Sequence, residues 1–403
     1  MTDKITESDR ISAKIGSQFR SDRGAAPIET ENEKENQKEN GDEQGPQSTT
    51  SGQSGQSAWI LGPVLDYLFV AGGAVWLLTL VNFTAIGFTI PTDKSKTAHL
   101  VLIAVAYAGQ YLLFNAHNIA THMRLWESKE SRRRYRFYRT WLMYVVLTVI
   151  ITGVIVPQII GYLIYFYMVS VFWHFCLQTC SITLLYCRKR AYPLSLLEKR
   201  FYRAFMLLLS TWVTLRFLTV QDFYPSVFYG VASPFWIPIK DLGTAWLFEM
   251  SRYVLVGVGL GCLFLIAKKA LIKKTVPPLP AVACTGTIIA LGLAPSPLAG
   301  VLWFYVPAFF HASQYLALNL ARNKERTNTE QQSDEMIHNG IKTWPALAYI
   351  GKAALIASLI YVIFPHCLNL FGGFSFNDAA ALVFAAVNYH QFATDAAFWK
   401  FDE

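Results

Sequence analysis

Charge is scarce in this chain: only 15% of its 403 residues are Asp, Glu, Lys or Arg, against about 25% in an ordinary soluble domain. Cysteine is sparse as well. The six thiols show no CxxC pair and no zinc-type spacing, which gives no support to a zinc ribbon or a dithiol redox motif. The first 57 residues have one aromatic side chain, Phe19, and include "ETENEKENQKENGDEQGPQSTTSGQSGQS". Such a composition buries too little apolar surface to offset its chain entropy, so residues 1–57 are expected to be a disordered polar tail. The tail also lacks the apolar core of a signal peptide.

What the rest has in abundance is apolar and aromatic residues, 53% and 15% of the whole chain. Runs of about 20 apolar residues cross a bilayer as helices. Ten are expected, over 64–88, 98–119, 140–157, 159–187, 203–220, 245–267, 280–294, 297–320, 345–365 and 377–398. The seventh is short and flanked by proline, so nine spans is the alternative. The expected fold is all-α, a polytopic helical transmembrane domain over 58–403.

Charge also gives the orientation. The tail holds seven Lys/Arg against eleven Asp/Glu, which leaves +12 for the remainder of a chain of net charge +8. The loops "RLWESKESRRRYRFYR", "RKRAYPLSLLEKRFYR", "KKALIKK" and "ARNKERTNTE…IK" carry 21 Lys/Arg. The alternate loops carry only Lys94, Lys96 and Lys240. Positive charge marks the cytoplasmic side, so both termini are expected in the cytoplasm. Topology alone accounts for the basic loops, and no nucleic-acid partner is needed. The bilayer is the expected partner, and the cell (inner) membrane of a bacterium the expected location. The aromatic, proline-rich 221–243 segment reads as an outer cap or re-entrant loop.

Ionisable groups are costly in a bilayer, so they mark function more often there than in water. His117, His174, His311 and His390 fall in the cytoplasmic halves of spans two, four, eight and ten. Four imidazoles at comparable depth are the strongest functional signal in the chain. They form a candidate metal set, with His122 and Asp395 as additions. The five-residue offsets His117–His122 and His390–Asp395 turn each pair about 140° apart on a regular helix. Two such side chains do not meet at one ion unless the helix end loosens. Gln178, Gln314, Tyr315 and Thr394 lie one turn from a histidine, where they would orient ligands or touch substrate. Asp66, after Gly62-Pro63, is either a further carboxylate for the site or an acid at the positive end of a helix dipole.

Imidazole suits iron, copper and zinc, and carboxylate plus histidine with open positions favours iron. The first reading is therefore a metal-dependent membrane oxidoreductase on a lipophilic substrate. Haem on paired axial histidines, a proton-coupled transporter with a histidine relay, and a scaffold of interlocked helices are the alternatives.

The order "HNIATHMR", "WHFCLQ", "FHASQYL" and "YHQFATDAAFWK", after "WILGPVLDYL", resembles an uncharacterised group of bacterial multi-span membrane proteins. The resemblance covers residues 58–400 and implies a shared site rather than a reaction. A looser resemblance is to the Brp/Blh-type carotene-cleaving oxygenases, whose iron is held by histidines from several helices. "WHF" around His174 and "FFH" around His311 are its points of contact. The paired-histidine element and following acid of that family's first helix are missing here.

Overall fold

The computed structural model describes residues 58–86, 108–219, 245–293, 306–322 and 344–401, and these are helical with no strand among them. The tail, the 221–243 segment, and the starts of the second and eighth expected spans (98–107 and 297–305) lie outside the described residues.

The first helix, α1 (Pro63–Leu65), runs into a π-helical turn, Asp66–Val70, and a bend of 59° separates this pair from α2 (Gly73–Ile86). Gly72 makes the bend, with φ +96°. It is glycine for a second reason: a Cβ there would stand 2.5 Å from the side chain of Thr287. Thr287 fastens the bend, donating to Ala71 O at 2.8 Å and accepting from Trp76 Nε1 at 3.0 Å.

A second π-helical turn, Gln110–Asn115, leads into α3 (Ala116–Trp126), followed by α4 (Lys129–Arg134), α5 (Arg136–Ile155), α6 (Ile159–Lys189) and α7 (Leu196–Thr219). Ser128 caps α4 by accepting from Ser131 N. At the start of α7, Ser195 and Glu198 bond each other's backbone N–H reciprocally, a capping box written as Ser-Leu-Leu-Glu. Beyond them come α8 (Ala245–Lys273), α9 (Leu279–Leu293) and α10 (306–322). Then α11 (Trp344–Ser358) continues through a π-helical turn, Leu359–Ile363, into α12 (Phe364–Gly372). Gly373, at φ +70°, ends α12, and Ser375 caps α13 (Phe376–Phe401) through Asp378 N.

The described residues within the expected spans are helical, though only part of the second and eighth is described. Four helices, Arg136–Ile155, Ile159–Lys189, Trp246–Lys273 and Ala348–Gly372, are long and apolar enough to cross a membrane, and the bent pair makes a fifth. The surface of these helices is apolar: Trp141 on α5 is 67% exposed and Phe264 on α8 is 66% exposed. The interior is where the polar groups sit. Asp66, His117, Gln314, Asn388, Gln391 and Asp395 have no exposed surface at all. A protein in water shows the reverse distribution.

Helix α13 is central to the bundle, packing on α5, α6 and α3. Gly153 of α5 lets the two backbones approach; a Cβ there would meet Leu382 Cδ1 at 2.4 Å. Small residues give α13 this access, since Ala379, Ala381 and Ala385 are wholly buried. Tyr167, Phe114, Tyr361 and Phe384 fill the space beside them.

Candidate metal centre

Four helices each bring one ligating group to a common point. His117 is the second residue of α3, directly after the π-helical turn; His174 lies in α6, His311 in α10, and Asp395 in α13. One ligand atom from each lies within 4.8 Å of the others. The Nε2 atoms of His117 and His311 are 2.9 Å apart, and those of His174 and His311 are 3.2 Å apart. Asp395 Oδ2 approaches His174 Nε2 to 3.5 Å.

These separations have a chemical meaning. Nitrogens bound at about 2.0–2.1 Å to one ion, at right to tetrahedral angles, stand roughly 2.9–3.4 Å apart. The two imidazole spacings fall in that interval. Three neutral nitrogens and one carboxylate oxygen are also a donor set that suits zinc, copper or iron. The residues present therefore fit a single transition-metal ion.

Aromatic packing fixes the rings. Tyr315 packs against His117 with centroids 4.4 Å apart, Phe175 stacks on His311 at 4.7 Å, and Phe392 stacks on His174 at 4.3 Å. Thr121, one turn after His117, donates to Asp395 Oδ1 at 3.2 Å and so ties α3 to α13 beneath the cluster. The buried Nδ1 atoms of His117 and His311 meet no acceptor among the described residues, so packing rather than a hydrogen bond at Nδ1 holds these rings in orientation.

The remaining residues singled out in the sequence lie elsewhere. His390 and His122 stand apart from the cluster, stacked on each other with centroids 4.5 Å apart. His122 Nδ1 is 2.6 Å from Asn118 O and His390 Nε2 is 2.8 Å from Tyr138 O, so each donates an N–H to backbone. Thr394 donates to His390 O at 2.8 Å and lies 3.4 Å from its Nδ1. The five-residue offset acts as geometry requires. Asp395 reaches the cluster, while His390 and His122 turn to the other side of their helices.

Gln178 and Gln314 hold helices together rather than ring nitrogens. Gln178 Nε2 donates to His311 O at 2.9 Å and Gln314 Oε1 at 3.2 Å; Gln314 Nε2 donates to Val70 O at 3.0 Å. Asp66 accepts from Ile60 N and Leu61 N at 2.7 and 2.9 Å, which fixes the segment leading into the bent pair.

No protein-family model, curated protein or solved structure matches this chain. The chemistry of the site must be argued from its own residues.

Two groups not anticipated as site residues complete the surroundings. Asn118 donates to Tyr361 Oη at 2.9 Å and to Asn388 Oδ1 at 3.0 Å, linking α3, the last π-helical turn and α13. Gln391 lies inside the cluster, its Nε2 at 3.2 Å from His117 Nε2 and 3.3 Å from His174 Nε2, and also bonded to Asp395 Oδ2. For Gln391, though not for Asn118, the sequence holds a faint signal. Positions 388, 391 and 395 follow one another at three and four residues, so they share one face of α13.

Proposed function

We propose that this chain is an integral membrane protein of about ten transmembrane helices, with both termini in the cytoplasm, and that its bundle holds one iron ion on His117, His174, His311 and Asp395. We further propose that it is an oxygenase or oxidase acting on a lipophilic substrate. The convergence of three imidazole Nε2 atoms and one carboxylate, buried on four different helices, carries this reading. A buried carboxylate among imidazoles is costly in a dry interior even with donors beside it, and a bound cation would offset that cost.

Histidine and carboxylate together favour iron with open coordination positions, which supplies activation of dioxygen or polarisation of a substrate. The protein's own part is to hold the donors rigid and dry. His117 and His311 are buried, and Asp395 has no exposed surface. His174 alone keeps some, with 11% of its side chain exposed. On its face of α6, Leu177 is 47% exposed, and Ser170 is half-buried. A hydrophobic molecule arriving sideways from the bilayer would meet the site on this flank.

The spacing also favours one ion over haem. A haem would need its two axial histidines on opposite sides of a large planar macrocycle. The imidazoles here are side by side at 2.9 and 3.2 Å. Absorption spectroscopy with elemental analysis of the purified protein tests the reading. One iron per chain and no Soret band are expected. A Soret band would transfer the assignment to haem, and full function in metal-free protein would transfer it to a transporter.

A further inference from the structure

We infer that Gln391 is itself a ligand, its side-chain oxygen completing a set of three histidines, one aspartate and one glutamine. This inference rests on the metal reading above and extends it to a fifth residue. Gln391 is wholly buried on α13, one turn before Asp395. The terminal amide atom that faces the cluster stands 3.2 Å from His117 Nε2 and 3.3 Å from His174 Nε2. These are the separations found between neighbouring corners of one coordination polyhedron, roughly 2.9–3.4 Å for metal–ligand bonds of about 2.0–2.1 Å. The amide therefore takes the place of a further corner beside the imidazoles.

The amide has a donor end and an acceptor end, and the cluster can use either. Imidazole nitrogens and a carboxylate line the centre of the cluster. The amide nitrogen, with its two N–H donors, is the end that the acceptors among these attract, and Nε2 is the end turned toward them, bonded also to Asp395 Oδ2. The oxygen, Oε1, is then left buried and without a partner. Half a turn about the last C–C bond exchanges the two ends while the rest of the side chain stays in place. With a cation at the centre the attraction reverses, and the amide oxygen becomes the favoured end. One residue can thus donate to the imidazoles and carboxylate around it or offer an oxygen to a cation held among them. Asparagine and glutamine carbonyls are ordinary oxygen donors to metals.

Cobalt(II) is the probe, because the intensity and position of its visible bands report coordination number independently of any turnover. Wild type, Gln391→Ala and Gln391→Glu are purified in detergent, stripped and titrated with cobalt. Wild type is expected to bind one cobalt per chain. Gln391→Ala is expected to lose one donor, so that its visible band gains intensity, about two-fold or more, as the coordination number falls. Gln391→Glu supplies a charged oxygen at the same place and is expected to bind cobalt about ten-fold tighter. If Gln391→Ala does not fold, Gln391→Glu still decides. Unchanged band intensity in Gln391→Ala, or unchanged affinity and spectrum in Gln391→Glu, overturns the assignment of Gln391 and leaves the four-residue centre standing. Failure of wild type to take up cobalt overturns both.

Discussion

His117 and His311, 194 positions apart in the chain, place their Nε2 atoms 2.9 Å from each other. Two imidazole lone pairs do not face one another at that distance without something shared between them, either a proton or a cation. The shared occupant sets how the site responds to pH.

Binding of a divalent ion must displace that proton, and acid must compete with the ion. Metal affinity is therefore expected to fall as the solution is made acid enough to protonate these rings. A neutral imidazole can keep its proton on Nδ1 while Nε2 binds the ion, so ligation near neutrality needs no proton release from these rings. Affinity that does not fall at any acid pH the fold survives would contradict ligation by these imidazoles.

The bend before α2 depends on Gly72. Alanine there meets both a positive φ of 96° and the side chain of Thr287 at 2.5 Å. Gly72→Ala is expected to cost about 1–3 kcal/mol, read as a lower Tm by tryptophan fluorescence in detergent. Gly286→Ala is the control, since a Cβ at that helical position meets nothing within 4 Å. It should be neutral or stabilise by up to about 1 kcal/mol, because alanine favours the helix. Equal destabilisation by both changes would remove Thr287 from the explanation.

Away from the centre, Glu198 joins the start of α7 to the end of α8 through Lys269 Nζ, at 2.8 and 2.9 Å. Partial burial pushes the Glu198 carboxyl up, but the Lys269 bond and the Ser195 donors outweigh it and hold the group below the usual glutamate range. A carboxylate lowered in this way stabilises the fold fully above its unfolded value of about 4.3. That contribution is lost as pH falls through the lower folded value. Glu198→Gln should cost about 2 kcal/mol at neutral pH, and the difference from wild type should shrink below about pH 4. A Tm gap that does not change with pH would show that the pairing contributes no stability.

Much of this architecture is legible in apolar runs. A bilayer-length helix needs only local information, and the described residues of the expected spans are helical, four of the helices long and apolar enough to cross a membrane. Rotation about each helix axis is harder to read. His117, His174, His311 and His390 are similar in sequence terms, yet three converge and His390 stacks on His122. What separates them is the direction in which α13 presents its faces. Asn388, Gln391 and Asp395 share the inward face, and His390 lies off it. Gln391 does not stand out in the sequence, because amides in membrane helices commonly pair with other helices. The Gly72 bend and the three π-helical turns alter the phase of their helices by amounts that no periodicity specifies. The turn over Gln110–Asn115 sets where His117 points, and the turn over Leu359–Ile363 brings Tyr361 to Asn118.

The central claim is that His117, His174, His311 and Asp395 hold one ion and that His390 does not. Elemental analysis of purified wild type, His174→Ala and His390→Ala, each shown to be folded by thermal unfolding, tests it most directly. The account predicts one equivalent of iron per chain in wild type and in His390→Ala, and less than about a tenth of that in His174→Ala, in keeping with the loss of a direct ligand. Metal retained in His174→Ala, or lost equally in both variants, would contradict it.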